Sequence, residues 1–376
     1  MTATATRARI ATASGGKKLR RMFGSLGLLP LILIFLAAAA GVWAAGISLS
    51  DTTDALAHRL GLGEAFGGLI LLAFATNLPE IAITVSAALA HNLGIAIGNI
   101  LGGIAIQTVV LALLDCLGIP ETPLTYRAAS LVLVIEAALV VALLVIVIAG
   151  TRLSANVIYA RVTPPGLLIL AFWIFGLWLV GRARRGLPWH EAGNPPDGQA
   201  GPLGMAKAMK NDEHERRGHS TATLGGVFAA AAVVTLAGGV VLEESGSEIA
   251  SHVGLSGVLF GATVLAAATA LPEVSTGLAS LKLGDYQLAV SDIFGGNAFL
   301  PVLFLLATLI SGDAVLPQAR NSDVYLTALG ILLTVVYMCG LLFRPRRQWL
   351  RLGPDSLLVL GLYAVGVVGL AFVTHG

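Results

Sequence analysis

The sequence predicts an all-α polytopic membrane protein of about ten transmembrane helices, arranged as two five-helix inverted repeats. Three observations carry that expectation. Of 376 residues, 56% are hydrophobic and 12% charged, whereas a soluble domain carries about 25% charged residues. The apolar runs are mostly about 20 residues or longer, enough to cross roughly 30 Å of hydrocarbon. Finally, GLGEAFGGLILLAFATNLPEIAITVSAALA from Gly61 aligns without a gap with GLSGVLFGATVLAAATALPEVSTGLASLKL from Gly254, 193 positions later. Thr76, Leu78, Pro79 and Glu80 thereby meet Thr269, Leu271, Pro272 and Glu273, and the register survives to Gly102 and Gly103 against Gly295 and Gly296.

Taken in order, residues 1–25 form a basic tail carrying Arg7, Arg9, Lys17, Lys18, Arg20 and Arg21. The apolar stretch after it, Phe23 to Ile47, exceeds the 7 to 15 residues of a signal-peptide core and is read as a retained helix. Spans are expected at about 26–47, 65–90, 94–117, 127–149 and 165–181, which make the first membrane repeat, 26–181. A second set at about 222–242, 256–281, 287–311, 323–343 and 355–374 makes the second repeat, 222–376. Between them lies a polar linker, 182–221, with Pro188, Pro195, Pro196 and Pro202; it has too little apolar surface to fold alone and is expected to be disordered. Its His190, His214 and His219 match no metal-ligand spacing. Because five crossings are an odd number, the second repeat enters the bilayer upside down relative to the first.

The net charge of +2 comes with basic residues in loops, which fits membrane topology and gives no reason to expect a nucleic-acid partner. Lys and Arg in the linker and between Arg344 and Arg351 favour that side as cytoplasmic, which puts both termini outside; the basic residues before Met22 argue the opposite, and a start at Met22 would remove the conflict. Cys116 and Cys339 stand alone without CxxC spacing, so no disulfide framework is expected.

Glu80 and Glu273 each sit within an apolar span that contains no Lys or Arg, where an acid costs about 2.5–3.5 kcal/mol on insertion scales. A bound cation or a proton would offset that cost; the rival is a protonated acid hydrogen-bonded to a neighbouring helix. Each glutamate follows a proline, Pro79 or Pro272, which frees the carbonyl four residues earlier, at Ala75 or Ala268. A carbonyl beside a carboxylate suits a hard cation; a simple proline kink is the plainer reading. Thr76, Glu80 and Thr84 recur every four residues, as do Thr269 and Glu273, so their oxygens share a helix face, although membrane threonines often bond back to their own helix. Asn99, Gly103 and Gln107 follow the same period, with Asp292, Gly296 and Leu300 as counterparts. The glycines at 94, 98, 102, 103, 295 and 296 allow close helix approach. Glu136, in the fourth span, has Leu329 as counterpart and is expected to be a bundle contact, with a proton relay as the alternative. Asp51, Asp54, Glu243, Glu244 and Glu248 are expected in loops at span ends.

With these residues in view, FATNLPE and AATALPE, each followed by a Gly-rich span, resemble the two alpha repeats of the sodium/calcium exchanger, or calcium/cation antiporter, superfamily. The resemblance covers roughly 61–110 and 254–305. It implies ten helices around a central cation site, with Glu80 and Glu273 coordinating calcium and neighbouring oxygens coordinating sodium. Thr76 and Thr269 match the family's threonine, Asn77 replaces its serine, and Gln107 falls where an amide or acid ligand is usual. The chain departs from the pattern at Gly103 and Gly296, which replace the serine of Gly-Ser-Asn, at Leu300, and at Ala270. Asn99, Asp292 and Asn297 complete the expected ligand set.

The resulting expectation is a secondary active antiporter exchanging Ca²⁺ or a related cation for Na⁺ or H⁺ by alternating access, with no resident cofactor and no catalytic residue. Its partners would be inorganic cations and the lipid bilayer of a prokaryotic plasma membrane. A monovalent Na⁺/H⁺ antiporter is the alternative. The absence of HExxH and GxSxG speaks against an intramembrane lipid-modifying enzyme, and a non-transporting scaffold has no use for two matched acids in hydrocarbon.

Overall fold

The structure, a computed structural model, describes residues 22–59, 74–118, 122–128, 130–188, 220–282 and 284–375. The first repeat contains α1 (Leu28–Arg59), α2 (Leu78–Leu89), α3 (Leu93–Gly118), α4 (Leu131–Thr151) and α5 (Pro164–Ala183). The second contains α6 (Thr221–Val253), α7 (Gly257–Thr269), α8 (Leu271–Lys282), α9 (Tyr286–Ser311), α10 (Asn321–Phe343) and α11 (Pro354–His375). Among the described residues eight helices are long and apolar enough to cross a membrane, and the bent pair α7 and α8 makes a ninth span. The span expected at 65–90 falls partly outside the described residues, and its described part, from Phe74 onward, contains the shorter apolar helix α2. Residues 1–21 of the basic tail and 189–219 of the linker, with His190, His214 and His219, lie outside the described residues.

Local chemistry sets the helix ends. Ser130 caps α4 by accepting from the Val132 N–H, and Ser220 caps α6 through the Thr223 N–H, satisfying donors that a helix start leaves open. Proline opens α5 and α11, where its missing N–H does no harm.

One expectation is corrected here. Asp51, Asp54, Glu243, Glu244 and Glu248 lie within α1 and α6 rather than in loops, and Glu243 and Glu244 are buried. A hydropathy window closes at the first acids. The helix itself continues until Gly254, which ends it with φ of 71°, a conformation glycine adopts without strain.

The layers follow from apolarity. In α3 and α9, 72% of the most apolar stretch is buried, against 22% in α5 and 17% in α11, so α3 and α9 form the centre and α5 and α11 the lipid-facing edge. The main core gathers Ile97, Ile100 and Ile104 of α3 with Phe294, Phe299 and Phe304 of α9 and Tyr337 of α10. A second cluster joins α1 to α6 through Phe35, Val42 and Leu242. At one end Asp115 of α3 accepts from the Leu124 and Gly353 N–H groups at 2.7 and 2.6 Å and from Ser356 Oγ at 2.8 Å, tying the start of α11 to the centre.

Candidate cation site

Both motif helices are broken immediately before their glutamates. α2 starts after Asn77, so Pro79 and Glu80 occupy its first turn. α7 ends at Thr269 after a π-helical turn, Gly261–Leu265, and α8 restarts at Leu271, bent by 41°, with Glu273 in its first turn. The sequence suggested a kink in a continuous helix; the finding is a helix start. Proline is tolerated at a helix N-terminus, and the partial positive charge there favours a carboxylate, so interruption suits both residues of each Pro-Glu pair. The π turn coincides with a close crossing of α3 and α7. A Cβ on Gly102 of α3 would stand 2.3 Å from Ala262 Cα of α7, so only glycine permits this approach.

Glu80 and Glu273 are both fully buried, at 0% and 1% exposure, and lie within electrostatic range of each other. Gln107 of α3 stands between them: its Nε2 donates to Glu273 Oε1 at 3.1 Å, and it also faces Glu80, as does Thr269. Neither closes a hydrogen bond to Glu80, whose two carboxyl oxygens are buried without one, as are Glu273 Oε2 and Gln107 Oε1. Native structures rarely strand so many buried acceptors in one place. Asp292 of α9 interacts with Glu273 electrostatically and accepts from Thr276 Oγ1 at 2.6 Å.

The two sides of this cluster differ. A Cβ on Gly296 would stand 3.0 Å from Asn77 Nδ2 and 3.4 Å from Gln107 Oε1, so that glycine leaves room for two amide side chains. The nearest neighbour of a Cβ on Gly103 would be Leu300 Cδ1, at 3.3 Å. Two departures from the expected pattern therefore touch each other, and this side is apolar.

Of the sequence-predicted ligands, Glu80, Glu273, Gln107, Thr269, Asn77 and Asp292 converge. Thr269 also bonds back to the Ala266 carbonyl at 3.1 Å. Asn297 is engaged elsewhere, donating to Thr108 Oγ1 at 3.1 Å. Asn99 is buried beside the π turn, its backbone N 3.9 Å from a Cβ on Gly261, and its amide atoms make no hydrogen bond to either carboxyl. Thr76 is buried one turn before Glu80. Sequence reasoning missed Thr276, although it stands three residues after Glu273 on the same face. It also missed Arg184, assigned to the linker; Arg184 Nη2 reaches Glu136 Oε1 and Ser291 Oγ, each at 2.9 Å. Glu136 thus makes a bundle contact. Among the described residues, no three His, Cys, Asp or Glu side chains form a metal-binding group, so any metal held here would need amide, hydroxyl and carbonyl oxygens too.

The sequence matches the family described as sodium/calcium exchanger protein over residues 30–182 and 222–372. The chain belongs to that family. Sodium/calcium exchanger proteins are transporters, and the chain is an integral membrane member. It is 27% identical over 303 residues to inner membrane protein YrbG of Escherichia coli strain K12, covering 80% of this chain and 83% of YrbG. Its fold resembles the crystal structure of the H⁺/Ca²⁺ exchanger CAX, with a TM-score of 0.62, 14% identity, and coverage of 99% and 93% of the two chains. The sodium-calcium exchanger NCX_Mj is similar too, with a TM-score of 0.55, 17% identity, and coverage of 91% and 99%.

Proposed function

We propose that the protein exchanges Ca²⁺ or a related cation for Na⁺ or H⁺ by alternating access, binding the ions between Glu80 and Glu273. The observation that carries this reading is the pairing of two repeat-equivalent carboxylates on the first turns of two broken helices, with three of their four oxygens buried and unbonded. A divalent cation would neutralise both charges at once. Gln107, Asn77, Thr269 and Asp292 would supply further oxygens, and the carbonyls at the helix breaks would complete the six to eight that calcium prefers. Competition between ions for shared oxygens couples their fluxes. The membrane repeats 26–181 and 222–376 would be the two functional halves, joined by a linker at 182–221. The inner-membrane relative supports a prokaryotic plasma membrane as the location.

The test is calcium uptake into proteoliposomes under imposed sodium or proton gradients. Uptake is expected in the wild type and absent in Glu80→Gln/Glu273→Gln; equal transport by that variant would refute the mechanism.

A second reading, a monovalent Na⁺/H⁺ antiporter, is favoured by the apolar side of the site, where Gly103 and Leu300 offer no side-chain oxygen. Sodium/proton exchange in the complete absence of calcium would select it.

A further inference from the structure

The long helices α1 and α6 touch the motif prolines at two matched points, and both contacts depend on glycine. Gly46 of α1 lies on Pro272: a Cβ there would stand 2.7 Å from the proline Cβ, 2.8 Å from its Cγ and 3.2 Å from its Cα. Gly239 of α6 lies on α2: a Cβ would stand 2.9 Å from Ala82 Cβ, 3.0 Å from the Pro79 carbonyl oxygen and 3.4 Å from Pro79 Cα. Gly46 and Gly239 are 193 positions apart, as are Pro79 and Pro272. One turn along, Trp43 Nε1 of α1 donates to Ser275 Oγ of α8, the repeat counterpart of Ala82. Other glycines of these helices differ: Gly41 of α1 and Gly225 and Gly226 of α6 have nothing within 4 Å of where a Cβ would stand, while Gly238 and Gly246 of α6 pack on side chains, Val42 and Phe260, and not on a motif proline.

Each of these prolines directly precedes a site glutamate. A pyrrolidine ring and a backbone carbonyl cannot rotate aside as a flexible side chain would, so an added methyl group must move a helix. The segments best able to yield are the first turns of α2 and α8, which are 12-residue helices preceded by breaks.

We propose that Gly46 and Gly239 are positioning residues that set the separation of the Glu80 and Glu273 carboxylates, and so the size of cation the site accepts. The proposal rests on the reading that these glutamates bind the transported ion. In Gly46→Ala or Gly239→Ala the α8 or α2 turn is pushed inward, the gap narrows, and larger alkaline-earth ions suffer most.

Reconstituted wild type, both variants and Gly41→Ala would be compared for uptake of Ca²⁺, Sr²⁺ and Ba²⁺. The expected result is a fall in the Ba²⁺/Ca²⁺ uptake ratio of about tenfold in either variant, the scale of overpacking by one methyl group against backbone, with Sr²⁺ between and Gly41→Ala unchanged. Because the readout is a ratio, reduced yield of folded transporter does not alter it. A uniform fall for all three ions, or an unchanged ratio, would overturn the proposal. Failure of the wild type to take up any of these ions would instead refute the underlying function.

Discussion

In the double variant Glu80→Gln/Glu273→Gln, stability in cation-free buffer is expected to rise while stabilisation by calcium disappears. Both Glu80 oxygens and Glu273 Oε2 are buried without a hydrogen bond. An acid at a helix centre in the bilayer costs about 2.5–3.5 kcal/mol on insertion scales, a cost that the helix N-termini at Glu80 and Glu273 offset only in part. Glutamine keeps the shape, removes the charge, and can still accept the Gln107 N–H that lies 3.1 Å from Glu273 Oε1. Relief of part of that cost at two positions gives roughly 1–3 kcal/mol. With calcium at one hundred times its dissociation constant, the wild type gains about 2.7 kcal/mol, and the order of stability closes up or inverts. The assay is thermal unfolding of purified protein in detergent at fixed pH, with and without Ca²⁺, for the wild type, both single variants and the double. A double variant that is less stable than the wild type without cations, or that keeps the calcium shift, would refute the idea that these carboxylates are tolerated because an ion neutralises them.

Arg184→Gln strands the buried Glu136 carboxyl; because Arg184 is 27% exposed, the expected loss is about 2–3 kcal/mol, below the range for fully buried pairs. Adding Glu136→Gln should restore most of it in thermal unfolding. Asp115→Asn turns an amide N–H₂ toward one of three donors at 2.6–2.8 Å and should cost about 2–4 kcal/mol, read from the same melts. Gly296→Ser places a Cβ 3.0 Å from Asn77 Nδ2; displacement of that amide should raise KM for calcium about tenfold in proteoliposome uptake while maximal rate changes less.

Much of this was legible in the sequence because the repeat is a strong constraint: two acids in hydrocarbon are improbable singly and telling as a pair at one offset. Gln107 was found through the four-residue recurrence of Asn99, Gly103 and Gln107. What escaped depends on geometry that periodicity does not encode. Pro79 and Pro272 read as kinks within continuous spans, whereas each falls in the first turn of a restarted helix, and the packing of Gly102 of α3 on the π turn of α7 marks the break before Pro272. Thr276 was passed over because its counterpart, Ile83, is apolar, so a search by symmetry ignores it. Arg184 lies just beyond the last apolar residue of α5, where hydropathy ends but the side chain reaches Glu136 and Ser291. Glu243 and Glu244 were misplaced for the opposite reason: polarity ended the expected span while backbone hydrogen bonding carried α6 onward, burying both acids and letting Glu243 accept from Ser86 Oγ at 3.1 Å.

The lengths of α1 and α6, 32 and 33 residues, have a consequence for the surrounding lipid. At 1.5 Å per residue each rod measures about 48–50 Å, against roughly 30 Å of hydrocarbon. Even at the steepest common tilt, near 40°, each still rises about 37 Å along the bilayer normal, so their ends emerge among the headgroups. Membranes of different thickness can then be matched by leaning this pair more or less steeply, without dragging polar ends into the acyl chains.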